Sequence, residues 1–231
     1  MDPVIEISEL RFRYSGAKAD CLFVQSLSLL KGETLFIRGP SGCGKSTLLS
    51  LMAGVLLSSS GSIHLLGQSW QALSATQRDA FRAANVGYIF QQFNLLPFLN
   101  ARENVALSCR FSSNRADRAL KAKPQASLLS IADELLGQFG IDESIGKKST
   151  HALSVGQQQR VAAARALMGE PAIIIADEPT SALDDDLRDA FMHALLSACK
   201  QAGSSLVFVS HDRSLAKHFD RAIDLPSHLK T

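Results

Sequence analysis

Residues 4–14, VIEISELRFRY, alternate apolar and polar side chains and are rich in β-branched and aromatic types. Period-two alternation of this kind marks a half-buried strand, and its place at the start of the chain predicts a sheet edge. After a turn at Gly16, LFVQSLSLL (22–30) alternates again as far as Lys31-Gly32. ETLFIR (33–38) is then a short apolar run that passes through a glycine-rich segment into the helical pattern STLLSLMAGV (46–55). The runs AIIIA (172–176) and SLVFVS (205–210) lack alternation, as expected of parallel strands covered by helices on both faces. Strand signals stop between residues 93 and 160, where Leu128, Ile131, Leu135 and Phe139 recur at helical spacing before Gly140, a residue suited to the position after a helix end. SSNRADRALKAKPQAS (112–127) is polar and without clear period, which predicts a loop or a loosely packed helix. The pattern as a whole predicts one α/β domain over 1–231, with a sheet-bearing core from 1–92 and 161–231 and a helical lobe, 93–160, inserted into it.

Composition narrows this reading little. The 231 residues are 46% hydrophobic and 20% charged, ordinary values for a soluble globular protein, and a net charge of +2 argues neither for nor against nucleic acid. Cys21, Cys43, Cys109 and Cys199 are far apart and form no metal-ligand pair, which fits a reducing compartment. No apolar run approaches the roughly 18 residues that would span a bilayer, and the acidic opening MDPVIEISEL is unlike a secretion signal. A role at a membrane would therefore need a membrane part from another chain.

The chemistry is concentrated in short stretches. Gly39-Pro-Ser-Gly-Cys-Gly-Lys-Ser-Thr47 matches G-x-x-x-x-G-K-[ST] and sits between an apolar strand and a helix pattern, the context in which this motif cradles phosphates. Gly39, Gly42 and Gly44 let backbone amides, including that of Ser41, face phosphate oxygens, and the helix start adds its positive dipole end. Lys45 is placed to bridge β- and γ-phosphates, and the Ser46 hydroxyl to meet Mg²⁺. No Asn-Lys-x-Asp guanine-reading segment occurs, so ATP is preferred over GTP.

AIIIADE (172–178) is an apolar strand that delivers two carboxylates at its C-terminal end, where open α/β sheets bind ligands. Asp177 suits a hard cation, and Glu178, directed elsewhere, is free to polarise a water in line with the γ-phosphate. His211 follows another such strand and is a candidate γ-phosphate sensor. Gln91 follows VGYIF in the same way, with an amide able to touch metal or attacking water.

Taken in order, GPSGCGKST, Gln91, LSVGQ (153–157), AIIIADEP, SALD (181–184) and His211 resemble the motif series of ATP-binding cassette ATPases, a resemblance that runs from Tyr14 to Asp212, nearly the whole chain. The resemblance implies a P-loop NTPase, RecA-like core with an antiparallel β-subdomain and an inserted α-helical subdomain. It also implies a head-to-tail dimer, of identical or different chains, that sandwiches two ATP molecules between the phosphate loop of one subunit and the signature segment of the other. By position, Lys45, Ser46 and Thr47 correspond to phosphate and Mg²⁺ residues, and Ser46, Gln91 and Asp177 to the metal set. Glu178, His211 and Gln91 correspond to the catalytic residues. Tyr14 corresponds to the aromatic that stacks on adenine, and Asp184 to the aspartate that communicates across the dimer. Stretch 78–105 looks most like the lipoprotein-release, macrolide-export and cell-division branch, which drives separate integral membrane permease subunits from the cytoplasmic face; polar amino-acid importers and slow regulatory ATPases are the alternatives. A nucleic-acid partner is not expected.

Ser154-Val-Gly-Gln157 fits S-x-x-Q, a capping box opening the helix VGQQQRVAAARALM before Gly169. A capped helix start is also an anion site, and the resemblance gives Ser154, Gly156 and Gln157 to the γ-phosphate on the other subunit. Val155 departs from the family's usual glycine. A helix's first turn accepts a β-branched residue at small cost, so an active site is expected.

Overall fold

The structure is a computed structural model that describes residues 3–181 and 183–225. In chain order the elements begin β1 (Pro3–Phe12), β2 (Leu22–Leu30), β3 (Thr34–Arg38), α1 (Lys45–Met52), β4 (Ser60–Leu65), β5 (Gln68–Ser69) and α2 (Ala75–Asn85). They continue with β6 (Val86–Ile89), α3 (Ala101–Arg110), α4 (Ser113–Ala122), α5 (Leu128–Gln138), α6 (Glu143–Gly146) and α7 (Val155–Leu167). The last are β7 (Ile173–Asp177), α8 (Asp185–Ala202), β8 (Ser205–Val209) and β9 (Arg221–Asp224). These elements form two compact units, one from the residues up to Arg82 together with those from Ser205 onward, the other from Ala83–Ser204.

In the first unit, β1, β2, β4 and β5 make an antiparallel sheet in the order β2-β1-β4-β5. The expected edge position of β1 is thus corrected: it is hydrogen-bonded to β2 on one side and β4 on the other. Alternation reports one wet face, and a central antiparallel strand alternates as well as an edge strand does. The β1–β4 register slips between Ser8 and Arg11, beside a left-handed Glu9 with φ 47°. A Cβ on Gly61 would lie 2.2 Å from the Glu9 carbonyl oxygen, so only glycine fits opposite that irregularity.

β8, β3 and β9 run parallel in the same unit. Leu35, Phe36, Ile37 and Leu206 to Val209 are all fully buried, which explains the missing alternation. Phe36 stacks on Phe208 at 6.2 Å between ring centres, and Leu48, Leu49 and Leu51 of α1 add to the core.

In the second unit, β6 and β7 pair in parallel. The helix α7 buries Val161 to Ala164, Ala166 and Leu167, and its end comes so close to β6 that a Cβ on Gly87 would lie 2.2 Å from the Ala166 carbonyl oxygen. Among the described residues no named strand falls between 93 and 160.

Within that stretch, 112–122 is neither a loop nor loosely packed: Ser112 caps α4, Arg115 is 4% exposed and Ala119 5%. Arg115 Nη2 donates to the Ala166 carbonyl at 2.6 Å and Arg118 Nε to that of Gly169 at 2.9 Å, so two guanidinia satisfy the carboxyl end of α7. Their polarity hid the packing, because arginine stems bury while their heads find acceptors. Helix α5 buries Ala132, Leu136 and the following Phe139, not the row Leu128, Ile131 and Leu135, and Gly140 adopts the expected left-handed conformation at φ 69°.

Candidate functional site

In the first unit, β3 runs into the loop 39–44 and α1 starts at Lys45. Gly44 caps that helix in the left-handed region, at φ 97°, and no side chain caps α1 among the described residues. The first amides of α1 therefore face a glycine-lined mouth, an arrangement suited to anions. A Cβ on Gly39 would sit 2.6 Å from Cys43 Sγ and 2.8 Å from the Leu225 carbonyl oxygen, which shows how tightly the loop is drawn. Lys45 is 7% exposed, and its ammonium donates to the carbonyls of Gly39 at 2.9 Å and Pro40 at 3.0 Å across the loop mouth.

Tyr14 lies two residues past the end of β1, half-exposed and edge-on to Phe12 at 4.8 Å. Its hydroxyl is 3.0 Å from Thr47 Oγ1, so the aromatic side chain and the phosphate loop are brought together. His211, two residues after β8, lines one cavity with Arg38, Gly39, Pro40 and Arg213.

In the second unit, the β6–β7 register pairs Ile89 with Ala176, so Gln91 and the Asp177-Glu178 pair leave the same end of the two strands. Burial, and after it the neighbouring Asp177 carboxylate, pushes the Tyr88 phenol above the ordinary tyrosine range. Glu178 has φ 47°, a left-handed conformation that is strained for a side chain of this kind and concentrates at functional positions. Its carbonyl accepts the Ser181 amide at 3.3 Å as the chain turns toward Asp184. Asp184 caps α8 by accepting the Leu187 amide at 2.9 Å, while Ala182 of the SALD stretch lies outside the described residues.

The start of α7 forms the expected capping box. Ser154 Oγ accepts the Gln157 amide at 3.3 Å and Gln157 Oε1 accepts the Ser154 amide at 3.0 Å. Val155 is 50% exposed, and neither it nor Gly156 has a positive φ. A Cβ on Gly156 would meet only Leu183 Cδ2, at 3.6 Å, among the described residues, so packing within the chain does not require glycine there.

Three features were not anticipated from the sequence: Arg115 and Arg118 at the end of α7, and Arg165 on α7 itself, which donates to the carbonyls of Phe93 and Asn94 just after Gln91. For Arg165 the only available signal was a basic residue in the last turn of a helix, and for Arg115 and Arg118 there was none. Tyr14, the loop Gly39–Thr47 and His211 belong to the first unit, and Gln91, Ser154, Gly156, Gln157, Asp177, Glu178 and Asp184 to the second. Among the described residues no three His, Cys, Asp or Glu side chains gather as a metal cage. Taken singly, the Ser46 hydroxyl, the Gln91 amide oxygen and the Asp177 carboxylate are oxygen donors of the kind that Mg²⁺ takes alongside phosphate and water.

The family model for ABC transporters matches residues 23–181. The chain is 37% identical over 227 residues to the uncharacterized ABC transporter ATP-binding protein YbbA of Escherichia coli strain K12, covering 96% of this chain and 94% of that one. It is 33% identical to the lipoprotein-releasing system ATP-binding protein LolD of Zymomonas mobilis, over 96% of this chain and 92% of the relative. Among solved structures, the ATP-binding cassette MJ0796, captured as a dimer in a post-hydrolysis state with ADP and phosphate, superposes with a TM-score of 0.82. That comparison covers 95% of this chain and 93% of the other at 32% identity.

Proposed function

Since the chain belongs to the ABC transporter family, as an ATP-binding subunit that hydrolyses ATP, we propose that it drives a separate membrane permease of the mechanical, lipoprotein-release or macrolide-efflux kind. Two ATPase subunits close head to tail on ATP, at the inner face of the membrane that holds the permease. The observation that carries this reading is the pair of phosphate-ready helix starts on one chain. The glycine-lined start of α1 holds one side of the nucleotide, and the start of α7, with Gly156 uncrowded, is the surface offered to the nucleotide on the second subunit.

In this reading Lys45 leaves the Gly39 and Pro40 carbonyls to reach the β- and γ-phosphates, and the amides of Ser41, Gly42, Gly44 and Thr47 hold their oxygens. Tyr14 stacks on adenine. Ser46, Gln91 and Asp177 would hold Mg²⁺, which would supply charge neutralisation on the phosphates. Glu178 accepts a proton from the attacking water, His211 faces the γ-phosphate, and Gln91 orients the water. Ser154, Gly156 and Gln157 complete the site from the second subunit, with Asp184 at the subunit boundary. The work is positioning and electrostatics on a loose phosphoryl transition state, with no covalent intermediate. Residues 93–160 form the lobe that receives the permease, consistent with the exposed Phe98 and Phe111.

Affinity purification of the tagged chain from membranes tests the assignment. Recovery of a polytopic membrane protein with a large extracytoplasmic domain is expected. Recovery of ribosomes or DNA in an ATP-dependent manner, with no membrane protein, would overturn it.

A further inference from the structure

The turn after Gln91 is held in an unusual way. Phe93 and Asn94 are both left-handed, at φ 58° and 49°, and two consecutive non-glycine residues in that region are costly to keep there. Phe93 is buried, but Asn94 is exposed, so packing of Asn94 cannot fix its backbone. Their carbonyls instead accept from one guanidinium: Arg165 Nη2 to Phe93 at 2.5 Å and Nη1 to Asn94 at 2.6 Å.

Burial brings the Arg165 guanidinium down to about 10, and the acceptors it is given are neutral carbonyls. A cation is spent here on shaping two carbonyls. Capping its own helix is not the reason, because Arg115 and Arg118 already take the carbonyls of Ala166 and Gly169. The backbone of Arg165 is fixed in turn by Ser108 Oγ, which donates to its carbonyl at 2.8 Å.

We propose that Arg165 is a positioning residue that keeps the turn after Gln91 in its left-handed form and ties it to the helix that opens at Ser154. It rests on the reading of Gln91 and Ser154 as nucleotide-facing residues. Ser154 and Arg165 lie at the two ends of one helix: α7 is a run of 13 residues, with Ser154 capping its first turn and Arg165 in its last. A displacement of that helix, such as closure on a second subunit would impose, is passed through the planar fork to the residues next to Gln91. A lysine, a point charge on a flexible stem, cannot bridge two carbonyls in this manner.

The test compares wild type, Arg165→Lys, Arg165→Lys/Asn94→Gly and Gln91→Ala. Nucleotide affinity is read with a fluorescent ATP analogue, turnover with Mg-ATP, and amide exchange over residues 92–95. Arg165→Lys is expected to hold affinity within about twofold, lose about tenfold or more in kcat, and exchange faster at 92–95, since small misplacements near reacting groups are expensive. Glycine at position 94 enters the left-handed region without strain, so the double variant recovers about threefold or more of the lost turnover. Wild-type kcat in Arg165→Lys, or no recovery in the double variant, overturns the proposal. If Arg165→Lys does not fold, a folded and active double variant supports it, and an unfolded one reduces Arg165 to core support. Wild-type turnover of Gln91→Ala sinks the reading of Gln91 instead, and exchange at 92–95 then decides separately whether Arg165 holds the turn.

Discussion

The Ser154 hydroxyl caps α7, and in the proposed function the same hydroxyl faces a phosphate. Its capping bond to Gln157 is a local stabiliser, and replacing such a cap by alanine costs about 1 kcal/mol. Ser154→Ala should therefore lower the melting temperature by about 2–4 °C in a chain of this length, while its turnover falls much further than that loss explains. Thermal unfolding and ATPase assays on one preparation separate the two effects. Val155 is half-exposed in the first helical turn without strain, so Val155→Gly should leave turnover within about twofold and cost about 0.5 kcal/mol of helix propensity. A large rise in turnover would instead make the valine a brake and favour a slow, regulatory ATPase. At this scale the capping box was legible because it is written within four residues. The role of Arg165 was not, since its acceptors are 71 and 72 positions away and nothing in ARAL points to them.

Among the elements, the junction of α7 with β6 tolerates little change. Gly87→Ala drives a Cβ against the Ala166 carbonyl, and backbone cannot yield as a side-chain tip can, so a loss of about 1–3 kcal/mol is expected by urea denaturation. An unchanged midpoint would mean that the approach of helix to strand is looser than described. The apolar runs of β7 and β8 and the strand-loop-helix around the phosphate cradle were legible because period and glycine placement are local signals. The central position of β1 was not, because pairing partners leave no mark in one strand's alternation. Helix α4 escaped because its buried face is carried by Arg115, and hydropathy patterns score arginine as surface.

For the whole molecule, each half of the proposed site is a backbone device at the end of a strand or the start of a helix, which is why the sequence marked both. What the sequence could not mark is the mechanical connection between such devices, made by hydrogen bonds between distant residues. Removing the proposed base should leave binding intact and slow hydrolysis by about 10²–10⁴-fold, so Glu178→Gln should accumulate with ATP bound. Lys45→Ala, which removes the charge proposed to meet the phosphates, should fail earlier, at nucleotide binding, as isothermal titration would record. The most direct measurement is the mass of the Glu178→Gln chain by light scattering, with and without Mg-ATP, alone and with Ser154→Arg added. The account predicts monomer without nucleotide, twice that mass with Mg-ATP, and return to monomer in the Ser154→Arg double variant although ATP still binds. A chain that binds ATP and stays monomeric, or a Ser154→Arg variant that pairs as readily, would contradict the claim that the start of α7 completes the site of a second subunit.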